Sequence, residues 1–407
     1  NYEAASTSAK DVGHNTWDFQ KMSAISPWEL TIGKLFGPTS YVWYSGGLLL
    51  TVLAFSYSFT SDLSKLKEIH DIYQTPIIPI IYLVFAGVMG HACALLFSLD
   101  SLKRKGNPSF ILPFISGIMT SCSILYLAFF ADLKNHLIPS QEPMNWNGLK
   151  VDPHMFVICS LIYFSFWTLM AIQRNLRAEL QYKNSPAVLM IFLVTVCIYF
   201  SGFVDNTARD VHQPNTTNIL IVKMWICFLI LMACTYSTMF MEANNPAKYT
   251  RWFYAIKHGE WKRIAENMPA WLGVCVLLIP VYLAVITIRP EKAADLVAPV
   301  PFRHLTPFYL TTVLMLFTVR DGLILHSILG GKIEKHKSFV IALYYLLIYG
   351  LIPFIMTSFF AKDEETIRRI LQTFYPIGGN NLLHALAPVL IQVLLACLVL
   401  RFILKRK

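Results

Sequence analysis

"TPIIPIIYLVFAGVMGHACALLFS", residues 75–98, runs for 24 positions without a formal charge. A hydrocarbon core about 30 Å thick is crossed by roughly 20 apolar residues in helical form. Nine more runs of this kind follow or precede it, at about 37–59, 109–131, 154–172, 185–203, 218–240, 269–288, 306–328, 338–361 and 382–403. The runs are unbroken rather than alternating, and backbone in lipid must satisfy its own hydrogen bonds, so helices are expected rather than strands. Of the 407 residues, 55% are hydrophobic and only 14% charged, well below the roughly 25% charged residues of a soluble domain. The fold class is thus an all-α polytopic integral membrane protein of about ten transmembrane helices.

Lys and Arg set the expected orientation. Of 34 basic residues, 22 fall before the first run, between even and odd runs, in the C-terminal tail or at Arg320. Both ends are therefore expected in the cytoplasm. The net charge of +10 reads as a topological signal and as attraction to anionic headgroups, with no need for nucleic acid. The eight cysteines all lie in apolar runs without CxxC or CxxH spacing, so they predict small core residues, with neither a disulfide framework nor a zinc site.

Chemistry is sparse within the runs. Arg320 and Asp321 are adjacent, which predicts side chains pointing in different directions rather than a helical pair. A helix end at the headgroups is the expectation there, with a polar gate or docking contact as the alternative. Lys223 is expected to snorkel. His91 and His384 stand in separate runs with no further His at useful spacing, so hydrogen-bonded burial is expected over haem ligation. No metal-binding pattern is present. Among the outer loops, "EIHD" (68–71), "VDPH" (151–154) and "VDNTARDVH" (204–212) carry the polar groupings. Asp205, Arg209, Asp210 and His212 form the best enzymatic candidate, as general base, anion clamp and orienter, although Asn and Asp equally serve turn chemistry. No GxSxG, HExxH or SxxK occurs, and "GGKIEK" (330–335) lacks the upstream glycine and following Ser/Thr of a phosphate-binding loop. No catalytic residue is assigned, and no cofactor is expected on this chain.

Ahead of the first span, "NTWDFQKMSAISPWELTIGKLFG" (15–37) is too polar to cross a bilayer. Ser26, Pro27 and Glu29 make a capping box with proline at the first helical position, and residues 1–36 as a whole read as a cytoplasmic amphipathic segment at the interface. Residues 241–268 form a second, with Trp252 and Trp261 among five basic residues.

The stretch at 15–37 resembles the segment after the second span of type-2 ABC exporter permeases, through Thr16, Ile25, Ser26, Glu29, Gly33 and Lys34. Asn15 stands where that family has glycine, and Ala24 where it has proline. The resemblance implies a coupling helix, in which Thr16, Trp17, Ser26, Pro27, Trp28, Glu29, Gly33 and Lys34 contact a separate ATPase subunit, with Trp252 and Trp261 as a second lever. It implies a permease subunit of an ATP-driven exporter in a bacterial cytoplasmic (inner) membrane, with ATP and Mg on the partner. A polytopic lipid or glycan transferase and an ion-coupled carrier are the alternatives. The first residue is Asn1, and "QRNLRAELQYKNSP" (173–186) resembles the elbow helix of that family. Together these predict two halves, about 1–172 and 173–404, with two further spans upstream of an incomplete N-terminus.

Overall fold

A computed structural model of the chain describes residues 1–23, 25–60, 77–105, 111–137, 144–204, 216–242, 246–287, 307–330, 337–360, 364–375 and 382–405. The outer-loop groupings at 68–71 and 205–212 lie outside the described residues, as do most of 330–335 and the side chain of His384. Each of the ten apolar runs carries a helix among its described residues. Among the described residues, four helices are long and apolar enough to cross a membrane by themselves, and five shorter apolar helices accompany them. The protein is an all-α protein with the helices of an integral membrane protein. One exception to the helical expectation occurs among the described residues. A two-stranded hairpin, β1 (Met144–Trp146) and β2 (Leu149–Val151), turns at Asn147 and Gly148 with φ of 49° and 81°. Both angles are positive, the tight turn that suits hairpin twist.

The chain separates into two compact units, Asn1–Met144 with Leu149–Asn184, and Asn145–Gly148 with Ser185–Lys407. The first holds α1 (Tyr2–Gly13), α2 (Thr16–Met22), α3 (Pro27–Phe36), α4 (Ser40–Thr60), α5 (Ile77–Lys105), α6 (Ile111–Leu137) and α7 (Pro153–Glu179). Its centre is the close crossing of α5 and α6 at Gly90 and Gly117. A Cβ at Gly117 would lie 2.7 Å from the Gly90 carbonyl oxygen, so only glycine allows this approach. Ser121 Oγ donates to the Ala86 carbonyl across the same seam at 3.0 Å. Lipid tails offer helices no hydrophobic reason to associate, and such small-residue contacts are what hold them together.

The position of α1 differs from the interfacial expectation. Ala4, Ala5 and Ser8 are fully buried, Ala4 and Ala5 pack on Ala94 and Phe114, and Ser98 Oγ donates to the Ala5 carbonyl at 2.8 Å. Gly90, Ala94 and Ser98 recur every four residues along α5, one small-residue stripe that α1 and α6 both use. Hydropathy misses α1 because its packing face is small rather than greasy. The stretch at 173–186 also departs from a separate elbow. α7 runs through it to Glu179, because Ile172 and Leu176 extend the apolar face onto Leu95 and Leu99, and the two units part at 184–185 rather than near 172.

The second unit holds α8 (Ala187–Ser201), α9 (Thr216–Glu242), α10 (Pro246–Lys257), α11 (Trp261–Asn267), α12 (Ala270–Thr287), α13 (Pro307–Gly330), α14 (Lys337–Leu346), a π-helical turn (Leu347–Leu351), α15 (Ile352–Phe360), α16 (Glu364–Phe374) and α17 (Leu382–Lys405). Leu193 of α8, Phe228 and Leu231 of α9, and Val274 and Leu278 of α12 make its largest apolar core. Val313 and Phe317 of α13 pack on Val389 of α17. Trp146 at the hairpin donates Nε1 to the Tyr199 carbonyl at 3.0 Å, and Lys223 donates to Asn147 Oδ1 at 3.2 Å. The lysine thus meets the hairpin turn as well as solvent.

Candidate functional site

Among the described residues, two places gather polar side chains beyond what local structure requires. In the second unit, Arg320 and Asp321 sit near the middle of α13, at 2% and 1% exposure. They form an ion pair, with Arg320 Nε and Nη2 each 2.8 Å from Asp321 Oδ1. This corrects both sequence expectations for them. Adjacent residues on a helix diverge at Cβ, but the arginine stem is long enough to fold back, and burial leaves it no better partner. They also lie inside the helix rather than at its end.

The carboxylate receives more than the guanidinium. Tyr344 Oη of α14 donates to Oδ1 at 2.9 Å, while Tyr349 of the π-helical turn and Tyr236 of α9 donate to Oδ2 at 2.7 and 3.0 Å. Arg320 Nη1 donates to Gln392 Oε1 of α17 at 2.6 Å, and Nη2 donates to Tyr349 Oη. Its guanidinium also stacks over Phe317, 4.4 Å from the ring centre. An unpaired charge in an apolar interior is very costly, and these contacts are what make the pair tolerable there.

The irregular backbone of this unit converges on the same cluster. Gln392 Nε2 donates to the Thr373 carbonyl at 2.8 Å. Gln392 is ten residues into α17, about 15 Å from its start at 1.5 Å per residue, so the C-terminal end of α16 reaches that far along α17. Tyr375 Oη donates to the Tyr349 carbonyl, which lies on the π-helical turn and whose partner four residues on would be Pro353, without an N–H to offer. Such turns are frequent at functional sites. Helices α9, α14 and α17 and the π-helical turn are tied to one buried carboxylate and its arginine on α13.

In the first unit, the predicted coupling residues divide into a fastened set and an exposed one. Trp17 is buried, with Lys34 Nζ 4.6 Å and Lys21 Nζ 5.3 Å from its ring centre. Lys34 is 5% exposed and pairs with Asp11 of α1. Burial pushes the Lys34 ammonium below the ordinary lysine range, against the opposing pull of Asp11. Asp11 also accepts from Thr16 Oγ1 and Gln20 Nε2, each at 3.3 Å. Ser26 and Glu29 form the expected capping box, with Glu29 N to Ser26 Oγ at 3.2 Å and Ser26 N to Glu29 Oε2 at 2.8 Å. Pro27 opens α3, and Gly33 faces open space. Leu30 and Leu35 are buried, whereas Trp28, Ile32 and Phe36 are exposed, and so are Phe19 and Met22 of α2. Thr16, Trp17 and Lys34 meet; Trp28 stands apart. Trp252 and Trp261 belong to the other unit, on α10 and α11, with Trp261 81% exposed.

Asp11 and Gln20 escaped the sequence reading, because nothing in a polar N-terminal helix marks which carboxylate will meet a lysine 23 positions on. Tyr236, Tyr344, Tyr349, Tyr375 and Gln392 escaped it too. The stretch "ALYYLLIYG" (342–350) did carry a signal, since tyrosine in the middle of a span lacks the interfacial role that usually places it. His91 differs from its expectation. It is buried, meets Trp43 edge-on at 5.4 Å, and its Nδ1 finds no partner among the described residues. All eight cysteines are free thiols. Among the described residues no three His, Cys, Asp or Glu side chains gather as metal ligands. Comparison of the chain with family models, with curated proteins and with solved structures finds no match.

Proposed function

We propose that the chain is the membrane-spanning permease subunit of an ATP-driven exporter, with ten spans and both ends in the cytoplasm of a bacterial cell, driven by a separate ATPase. The observation that supports it is the two-sided character of α3. One side is fixed to the first unit through Leu30, Leu35 and the Lys34–Asp11 pair. The other presents Trp28 and Ile32, with Glu29 bound into its own cap. A helix rigid on one side and apolar on the other suits the transmission of force from a docked subunit. ATP and Mg belong to that partner. The test is reconstitution of the chain with an ATPase subunit that co-purifies with it. Trp28→Ala with Ile32→Ala should abolish stimulation of ATP hydrolysis while the helical signal and yield are unchanged. Full stimulation in that variant defeats the proposal.

One observation favours a second reading, an ion-coupled carrier. Asp321 is a carboxylate held deep within a long helix beside an arginine, and intramembrane ionisable groups mark ion and proton pathways. Transport that collapses with the proton or sodium gradient while ATP persists decides for the carrier. Transport that follows ATP alone decides for the permease.

A further inference from the structure

α10 and α11 form a helical pair held close to the start of a span. α12 opens at Ala270 and is one of the four described helices long and apolar enough to cross a membrane. Only Met268 and Pro269 separate it from the end of α11 at Asn267. A leash this short extends at most about 10 Å. A second tie acts on α10, where Trp271 Nε1, in the first turn of α12, donates to Tyr249 Oη at 2.8 Å. Both helices are thereby held at the depth where α12 enters the bilayer, the headgroup layer.

What they present there is specific. Phe253, Tyr254, Ile256 and Trp261 are exposed at 62%, 56%, 43% and 81%. Arg251, Lys257, Lys262 and Arg263 are exposed between them. Across residues 246–267 there are five Lys and Arg against Glu260 and Glu266, a net charge of +3. Arg263 pairs with Glu260 at 2.8 Å, and Arg251, Lys257 and Lys262 each stand within about one turn of an exposed aromatic ring. Interleaved rings and cations are the composition of helices that lie in the interface of anionic bilayers, rings at the acyl boundary and cations at the phosphates.

We infer that α10–α11 is a binding surface for anionic phospholipid of the surrounding bilayer. Phe253, Ile256 and Trp261 enter the acyl boundary, and Arg251, Lys257 and Lys262 meet the lipid phosphates. Trp261, read from the sequence as an ATPase contact, is assigned here to lipid. The inference rests on α12 crossing the membrane and is independent of what drives transport.

The test is amide hydrogen exchange on the full chain in nanodiscs of phosphatidylcholine alone or mixed with phosphatidylglycerol. Exchange across residues 249–267 should slow roughly tenfold in the anionic discs, and high salt should reverse the slowing. The variant Arg251→Glu, Lys257→Glu, Lys262→Glu should show no difference between the two lipids. Phe253→Gln with Trp261→Gln should exchange fast in both. Amides of α9 and α12 serve as the control for folding and insertion, and if the charge variant does not fold, the wild-type lipid and salt comparison decides alone. Equal exchange in both lipids overturns the inference. So does slowing that appears only when a soluble ATPase subunit is added, which would assign the surface to a protein. Failure of α12 to stay protected in either disc would instead locate the fault in its assignment as a span.

Discussion

Tyr349 donates its hydroxyl to Asp321 Oδ2 at 2.7 Å and accepts from Arg320 Nη2, so the side chain on the π-helical turn bridges both members of the buried ion pair. The turn and the pair are therefore coupled: straightening the turn into α-helix would rotate Tyr349 about the axis and remove it from both charges. The hydroxyl is held between a donor and an acceptor that are both buried. Tyr349→Phe should destabilise the protein by about 1–3 kcal/mol, the range for orphaning buried polar groups. Thermal unfolding in lipid checks this, and an unchanged midpoint would show that the contacts carry no weight.

The ion pair itself should behave as one object. Asp321→Ala leaves a guanidinium in an apolar interior, and such a change typically costs about 3–5 kcal/mol. Arg320→Met with Asp321→Leu removes both charges together and should cost distinctly less. Unfolding measurements on the single and double variants test the order. A double variant as unstable as the single would mean that the tyrosine and glutamine contacts, rather than unpaired charge, dominate.

At the α5–α6 crossing, Gly117→Ala should destabilise by about 1–3 kcal/mol, the cost of overpacking. Its new Cβ would meet the Gly90 carbonyl oxygen at 2.7 Å and Ala94 Cβ at 2.9 Å, and backbone cannot give way as a side-chain tip can. Gly46→Ala and Gly47→Ala on α4 provide the comparison, because a Cβ at either meets nothing within 4 Å. Similar losses at all three positions would count against the close approach.

Acid should loosen the start of α3. The Ser26 backbone N–H, and then the Ser26 hydroxyl, hold the Glu29 carboxyl below the ordinary carboxylate value of 4.5. A group whose pKa is depressed on folding contributes its stabilisation above the unfolded value and loses it as pH falls through the folded one. Amide exchange at residues 28–30 should therefore be constant near neutrality, once intrinsic chemistry is allowed for, and accelerate below about pH 4.5. Glu29→Gln should flatten that dependence. A pH response that survives in Glu29→Gln would place its origin elsewhere.

Helix positions, and the capping box of Ser26, Pro27 and Glu29, were determined by the sequence itself, because they rest on local rules. An unbroken apolar run must close its own hydrogen bonds in lipid, and a cap is made within three residues of its helix. What joins helices obeyed no such rule. α1 packs through Ala4 and Ala5 onto Ala94 and Ser98, a face too small to register as hydrophobic. Lys34 meets Asp11 only because α1 and α3 are brought side by side. Arg320 and Asp321 are neighbours in the sequence, yet their pairing depended on Tyr236, Tyr344, Tyr349 and Gln392, contributed by α9, α14, the π-helical turn and α17. A charge's partner in the membrane is set by which helices surround it once water has been excluded, and only the tertiary structure decided that.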